Sequence, residues 1–215
     1  MIATREKRLA MNQAGRWLIF SSIFAVCTGC LPKPDTPLGR AAARGDMAEL
    51  NRLIAGGASL AERDEALVWA ARGGAPQSIH VLIKSGADPD FRAGVNDWPV
   101  LMHAIHKNQP EAVTALLESG ANPNLPGRNG ETPLMMAAGY GYANIVRALL
   151  EHKADAQTRM QNGENALDFA LNGVSDIDKF TWGKCQSESV QVIRAMAPQV
   201  VPSKPEKLKN CAAGS

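Results

Sequence analysis

Residues 129–141 read Asn-Gly-Glu-Thr-Pro-Leu-Met-Met-Ala-Ala-Gly-Tyr-Gly, and altered copies of this stretch recur along most of the chain. The central leucine of each copy is separated from the next by 29, 34, 33 and 33 residues in turn: Leu38, Leu67, Leu101, Leu134 and Leu167. An alanine stands three residues after each leucine: Ala41, Ala70, Ala104, Ala137 and Ala170. A period near 33 residues predicts small units that bury their apolar faces only by stacking on their neighbours.

Each unit continues with a second segment of helical periodicity and then a turn. In the fourth unit the apolar residues Ile145, Val146 and Leu149 have the spacing of one helix face. Glycine follows the second helix in the first three units, where it can adopt the left-handed conformation that ends a helix. Lys153 replaces it in the fourth unit, which predicts a strained or differently shaped helix end. Asn-Gly pairs at 129–130 and 162–163 predict tight reversals between units.

These residues resemble the ankyrin repeat over residues 36–196. The family's Thr-Pro-Leu-His-x-Ala core is matched by residues 132–137, although Met135 replaces the histidine, and its Gly-Ala-Asp-x-Asn tail is matched by residues 120–124. In the third unit Pro-Val-Leu at 99–101 replaces Thr-Pro-Leu. A generic helical bundle is the alternative, but a bundle has no reason to keep these residues in register.

The resemblance implies an all-α solenoid of about five helix-turn-helix repeats joined by hairpin-like loops. The expected repeats cover residues 36–64, 65–98, 99–131, 132–164 and 165–196. The first linker is about four residues short, so we expect no full hairpin between repeats one and two.

The first residues have a different character from the repeats. A basic start is followed by the apolar run 17–27, eleven residues that are too few to span a bilayer. This pattern predicts a signal peptide at residues 1–29. The end of the run, Val26-Cys27-Thr28-Gly29-Cys30, resembles the processing site of bacterial lipoproteins, which implies acyl chains on Cys30 as the first mature residue. Ordinary signal cleavage and an uncleaved anchor are the alternatives.

Leu31 follows Cys30, where an aspartate often marks retention in the inner membrane. The resemblance therefore implies a lipid-anchored protein at the outer membrane, facing the periplasm, with residues 30–35 as a short tether. Residues 1–29 contain four of the 23 basic and one of the 21 acidic side chains, which leaves 19 and 20 and a net charge of −1. That balance gives no support to a nucleic-acid partner.

The C-terminal end departs from the repeat. About 11 residues are inserted between 174 and 187, a helix resumes near 188–196, and prolines end it before a tail at 197–215. Cys185 and Cys211 are 26 residues apart and would lie in an oxidising compartment, so we predict that they form a disulfide. Two free thiols are the alternative.

Catalytic and metal-binding motifs are not found in the sequence. His103 and His106 have a spacing that can share a metal, but no cysteine or carboxylate cluster accompanies them, so we interpret them as helix-surface histidines. The sequence contains no Gly-x-Ser-x-Gly turn, His-Glu-x-x-His motif or phosphate-binding glycine loop. We therefore predict a non-catalytic protein with no cofactor and no metal.

In the ankyrin family the partner-binding residues lie on the concave side, at the hairpin tips and at the ends of the first helices. Carried over to this chain, that surface comprises Arg44, Arg72, Phe91, Arg92, Trp98, His106, Lys107, Arg128, Tyr140 and Arg159. Its aromatic and basic composition predicts a groove for a protein with an acidic surface. Two alternatives stay open: the tips are merely solvated, and Trp98 packs under the loop 94–97.

The combined features predict a monomeric, non-catalytic protein-binding module that is anchored to the bacterial envelope by lipid. One narrower alternative is an immunity-type inhibitor of a toxin that acts in the periplasm, which a neighbouring toxin gene would favour. Another is an envelope stress-protection factor that supports a periplasmic enzyme, which the phenotype of a deletion would test.

Overall fold

The computed structural model describes residues 34–173 and 185–204 together with Cys211. These residues form ten helices that pair in chain order: α1 Pro37–Arg44, α2 Met47–Ala55, α3 Leu60–Gly73, α4 Pro76–Lys84, α5 Val100–His106, α6 Pro110–Glu118, α7 Pro133–Tyr140, α8 Ala143–Glu151, α9 Ala166–Asn172 and α10 Ser187–Met196. A two-residue strand β1 (Arg92–Ala93) pairs antiparallel with β2 (Trp98–Pro99). The predicted all-α solenoid of five helix pairs is confirmed.

The helices stack in two parallel rows. The first helices of the pairs, α1, α3, α5, α7 and α9, pack each on the next, and the second helices, α2, α4, α6, α8 and α10, do the same. All five repeat leucines and the alanines three residues after them are buried in one continuous core. Because an alanine side chain is a single methyl group, the backbones of neighbouring first helices can approach closely.

The junction between the first two repeats has no hairpin, as the short linker predicts. Helix α3 begins at Leu60, seven residues before its repeat leucine, whereas α5, α7 and α9 each begin one residue before theirs. A capping box starts this longer helix, with the Ser59 backbone N donating to Glu62 Oε2 over 2.8 Å. On the added turns the buried Asp64 accepts a hydrogen bond from the Asp88 backbone N at 2.8 Å.

Hairpin-like loops connect the later repeats. We name them the first finger (residues 88–99), the second finger (121–132) and the third finger (154–165). The Asn122 backbone N donates to Asp90 Oδ1 over 2.8 Å, and the Asp155 backbone N donates to Asn124 Oδ1 over 2.7 Å. Each finger therefore orients the next through a side chain that fixes a backbone N–H.

The C-terminal segment 197–203 packs along the third finger and α9. The Val201 carbonyl accepts hydrogen bonds from Arg159 Nη2 at 2.7 Å and Asn165 Nδ2 at 2.9 Å, and Ser203 donates both its backbone N–H and its hydroxyl to Asp168 at 2.8 Å. Cys185 and Cys211 form the predicted disulfide, with their Cα atoms 5.6 Å apart. Most of the predicted insertion, 174–184, and the residues 205–210 and 212–215 of the tail lie outside the described residues.

The predicted signal peptide and Cys30 also lie outside the described residues, which begin at Pro34. In the described ranges, no helix combines the length and the apolar character that crossing a membrane requires.

Lys153 adopts the left-handed backbone conformation that glycine has in the preceding repeats. Its φ angle is 67°, where Gly57, Gly86 and Gly120 have 93°, 102° and 96°. The predicted strain is therefore present, because a residue with a Cβ atom pays roughly 1–2 kcal/mol in this region. The helix end itself keeps the shape of the others, since the Ala154 backbone N bonds Leu149 O as Ala121 bonds Leu116 O.

Replacing Lys153 by glycine should stabilise the protein by about 1 kcal/mol, because the strain at positive φ is relieved and only part of it is offset by backbone entropy. Urea unfolding followed by circular dichroism measures the change. Lys153→Ala is the matched control: it removes the same charge but keeps the strain, so its midpoint should stay at or below that of the wild type. Equal stabilisation by both variants would show that the charge, and not the backbone, is responsible.

Candidate protein-binding surface

The predicted binding residues at the ends of the first helices form a basic row. Arg44 ends α1, Arg72 lies in the last turn of α3, and Lys107 follows α5 directly. Arg44 is exposed, and Arg72 and Lys107 are half-buried. The corresponding ends of α7 and α9 are Tyr140 and Asn172, which carry no charge at neutral pH. We call the ends of the first helices together with the fingers the groove face.

Arg72 is positioned by two neighbours from its own and the next repeat. Its guanidinium lies 5.3 Å from the centre of the Trp69 ring, a distance that permits a cation–π contact. Its backbone carbonyl accepts a hydrogen bond from Gln109 Nε2 at 3.4 Å. Trp69 is not among the predicted binding residues, although it stands two residues after a repeat leucine, as His103 does in the next repeat.

A row of packed rings runs from the first finger through α5 to the loop after α7. Trp98 lies 5.7 Å from His103 and 5.2 Å from His106, His106 lies 6.0 Å from Tyr140, and Tyr140 lies 5.5 Å from Tyr142, measured between ring centroids. The pair in the middle is also joined by a hydrogen bond of 3.1 Å between His106 Nδ1 and the Tyr140 hydroxyl.

Three of the predicted binding residues therefore lie inside this row of rings. Trp98 is 8% exposed, Tyr140 7% and His106 4%. Trp98 also donates from Nε1 to Glu131 Oε1 of the second finger over 2.8 Å. These side chains support the groove face from beneath, and their role in binding a partner stays a prediction.

The interpretation of His103 and His106 as helix-surface residues is wrong. Both are buried, at 3% and 4% exposure, because Trp98 packs against both rings and Tyr140 packs against His106. Among the described residues His103 Nδ1 has no hydrogen-bond partner, and Nε2 contacts the Ala93 carbonyl at 3.2 Å.

The buried position of His103 suppresses its protonation. Burial lowers its pKa to about 4, against the opposing effect of the Ala93 hydrogen bond, and the positive charges of Arg72, His106 and Lys107 lower it further. The imidazole is therefore neutral at pH 7. Arg72 and Lys107, from two successive repeats, therefore both lie near enough to His103 to lower its pKa.

Arg92 and Arg159, two further predicted binding residues, hold the fingers together. Arg92 pairs with the Asp97 carboxylate at 3.0 Å and donates from Nη2 to the Pro126 carbonyl of the second finger over 2.6 Å. Arg159 repeats this arrangement, donating to Gly163 O in its own finger and to Val201 O in the following segment, both over 2.7 Å. This role could not be predicted from the sequence, because an arginine in a loop suits partner binding equally well.

The remaining predicted residues divide between surface and core. Arg128 is exposed in the second finger, whereas Phe91 is half-buried and packs against the core. Within residues 34–173 and 185–204 and at Cys211, no three His, Cys, Asp or Glu side chains are grouped so that they could hold a metal ion.

Comparison with known proteins agrees with this architecture. The family model of ankyrin repeats, in three copies, matches residues 101–180. No curated protein matches the chain. The matched residues and the five stacked helix pairs define an ankyrin-type solenoid, and such repeats are protein-binding modules, not catalysts.

The burial of His103 predicts that stability falls below pH 6.5. In the unfolded chain the imidazole takes up its proton near pH 6.5, whereas in the folded protein it does so only near pH 4. The unfolded state therefore binds more protons between these values, and stability should decrease by about 3 kcal/mol as the pH falls from 6.5 to 4.

Urea unfolding at several pH values tests this through His103→Gln, whose amide can still donate to Ala93 O but does not titrate. The variant should lose less stability than the wild type over the same pH range. His80→Gln, at an exposed histidine, is the control and should keep the wild-type slope. Identical slopes in all three proteins would contradict the assignment.

Proposed function

We propose that the chain is a non-catalytic protein-binding module, held at the bacterial envelope by acyl chains on Cys30, that binds an acidic surface of a partner protein. The observation that carries the proposal is the basic row on the groove face. Arg44, Arg72 and Lys107 come one from each of the first three repeats. A partner that lies across these repeats would meet all three charges.

The setting of the basic row favours an acidic partner. Complementary charge speeds association and excludes like-charged proteins. Arginine beside aromatic rings is also frequent among residues that dominate binding energy. Here Arg72 stacks on Trp69, and a row of packed rings lies in the neighbouring repeats. Packed rings give the groove face a firm base, so little side-chain order would have to be gained on binding.

The first three repeats are the better part of the groove face for this partner. The equivalent positions in the last two repeats carry no charge at neutral pH. The third finger is already engaged by the chain itself, since Arg159 and Asn165 both bond to Val201 of the C-terminal segment. Binding centred on repeats one to three follows from both features.

The proposed lipid would keep the groove face near the membrane. Helix α1 begins at Pro37, and Arg40 Nη1 bonds the Asp35 carbonyl at 2.9 Å, so the folded part begins within a few residues of Cys30. The partner would then be a protein that reaches the envelope surface.

Acylation is tested by growing cells on an alkyne-tagged fatty acid and separating their proteins with a phase-separating detergent. The wild type should take up label and enter the detergent phase, whereas Cys30→Ser should do neither. Cys27→Ser is the matched control, because it removes the other cysteine of the same segment, and it should stay labelled. Label that persists on Cys30→Ser would refute the anchor.

Partner binding is tested by affinity capture from envelope extract with the lipid-free chain and two charge-reversal variants. Arg44→Glu/Lys107→Glu should retain any partner at least tenfold less than the wild type. Arg147→Glu/Arg194→Glu changes the net charge equally at exposed sites on α8 and α10 and should retain it fully. Retention should also decrease as salt is raised, because exposed charges are screened. Equal behaviour of the two variants would contradict an acidic partner on the groove face.

A further inference from the structure

The chain contains three Asn-Gly pairs, at residues 129–130, 162–163 and 172–173. Glycine has no Cβ atom, so the backbone nitrogen that follows each of these asparagines is open to the asparagine side chain. That nitrogen can attack the side-chain amide and convert the asparagine into an acid, which is one reason why asparagine is among the thermolabile residues. The structure places the three pairs in different surroundings, and these determine where the reaction can take place.

The pairs in the second and third fingers are matched in sequence and in backbone conformation. Each is followed by a glutamate, and both asparagines are exposed. The glycine nitrogen of each pair donates to the carbonyl three residues earlier, over 3.1 Å at Gly130 and 2.9 Å at Gly163. The φ angles of these glycines are 84° and 81°, and a Cβ atom added to either would meet nothing within 4 Å. The two pairs therefore differ mainly in what holds the asparagine side chain.

The side-chain amide of Asn162 is held at both ends by Glu164. Its Nδ2 donates to Glu164 Oε2 over 2.8 Å, and its Oδ1 accepts from the Glu164 backbone N at 3.0 Å. The donor and the acceptor of the amide are thus both engaged. The side chain cannot turn its Cγ atom towards the Gly163 nitrogen without breaking these bonds, so the attack at this pair is hindered.

The side-chain amide of Asn129 lacks this restraint. Its backbone N donates to Glu131 Oε2 over 3.1 Å, but its side chain forms no hydrogen bond with any described residue. The other carboxylate oxygen of Glu131 accepts from Trp98 Nε1 of the first finger at 2.8 Å. Both oxygens of Glu131 are therefore engaged elsewhere, and the Asn129 amide can rotate towards the Gly130 nitrogen.

The third pair lies at the end of α9, where the attacking nitrogen is shielded. Asn172 is the last residue of the helix, Gly173 is buried, and the Gly173 backbone N donates to Phe169 O over 2.8 Å. This nitrogen must lose its proton to water or hydroxide before it can attack. Burial and the hydrogen bond both oppose that step.

We infer that Asn129-Gly130 is the site at which this protein deamidates spontaneously, and that the fold protects the two other Asn-Gly pairs. The Gly130 nitrogen loses its proton to hydroxide and attacks Asn129 Cγ. A bond forms between these atoms, the bond from Cγ to Nδ2 breaks, and Nδ2 leaves as ammonia with protons from water. Water then opens the resulting succinimide ring at either carbonyl and leaves aspartate or isoaspartate at position 129. No atom is oxidised or reduced.

Deamidation would change the charge of the second finger as the protein ages. Either product carries a new carboxylate beside Glu131, whose Oε2 already accepts from the backbone N of residue 129. Like charges at this separation repel each other, which weakens the hold of Glu131 on Trp98 of the first finger. This inference needs no partner protein and does not depend on the proposed function.

Peptide mapping by mass spectrometry tests the inference on the purified full chain after incubation in warm, mildly alkaline buffer. Enzymatic methylation identifies the isoaspartate. Position 129 should deamidate at least about tenfold faster than position 162, because two hydrogen bonds must break at the latter. A sample that is digested into peptides before incubation is the control. Its three Asn-Gly pairs should react at similar rates, since the fold no longer distinguishes them.

Two variants test the restraint on Asn162. Glu164→Ala removes the acceptor of Asn162 Nδ2 and should raise the rate at position 162 several-fold, towards the rate at position 129. Glu131→Ala is the matched control, because it removes the corresponding glutamate from the second finger and should leave the rate at position 162 unchanged.

Three results would overturn the inference. One is an equal rate at positions 129 and 162 in the folded chain, and another is an intact Asn129 in the folded chain under conditions that deamidate the peptides. The third is a rate at position 162 that Glu164→Ala does not change, because the restraint by Glu164 would then have no protective effect.

Discussion

The contact between each first helix and the next is the interaction on which the rest of the structure depends. A pair of helices of seven to fourteen residues has too little apolar surface to fold alone. The buried leucine of each repeat and the alanine that follows it supply that surface in register from α1 to α9. Because each repeat stacks on the next in the same orientation, the side chains at the ends of successive first helices lie beside one another. Helix stacking alone therefore produces the basic row of Arg44, Arg72 and Lys107.

Polar bonds between successive fingers form a second, weaker periodic network. Asp64, Asp90 and Asn124 each accept a backbone N–H from the following repeat, and Asp64 does so from a helix that replaces the missing finger. Arg92 adds a hydrogen bond from the first finger to the second, and Arg159 adds one from the third finger to the C-terminal segment. The backbone N–H groups of exposed loops would otherwise rely on water, so these bonds make the fingers ordered extensions of the core. Arg92 and Arg159, which suit partner binding by their chemistry, are therefore engaged within the fold, whereas Arg128 stays exposed in the second finger.

The parts of the structure that depend on a local, repeated pattern could be read from the sequence. The five helix pairs follow from the regular spacing of the repeats. The missing hairpin between the first two repeats and the strain at Lys153 follow from departures from the repeated pattern. The burial of His103, His106 and Tyr140 could not be read, because it depends on which rings the neighbouring repeats bring to the same place. His106 lies five residues after its repeat leucine and Tyr140 lies six residues after its own. An alignment of the repeats therefore does not reveal their contact.

The two ends of the solenoid differ, and this difference bears on where a partner can bind. At the C-terminal end the segment 197–203 bonds to the third finger and α9, and the Cys185–Cys211 disulfide fixes the chain beyond it. The Val201 carbonyl accepts a hydrogen bond from Arg159 as the Pro126 carbonyl accepts one from Arg92. The C-terminal segment therefore makes the contact with the third finger that a further finger would make. The last repeat is therefore occupied by the protein itself. The basic row lies in the first three repeats, and it is there that we propose a partner binds.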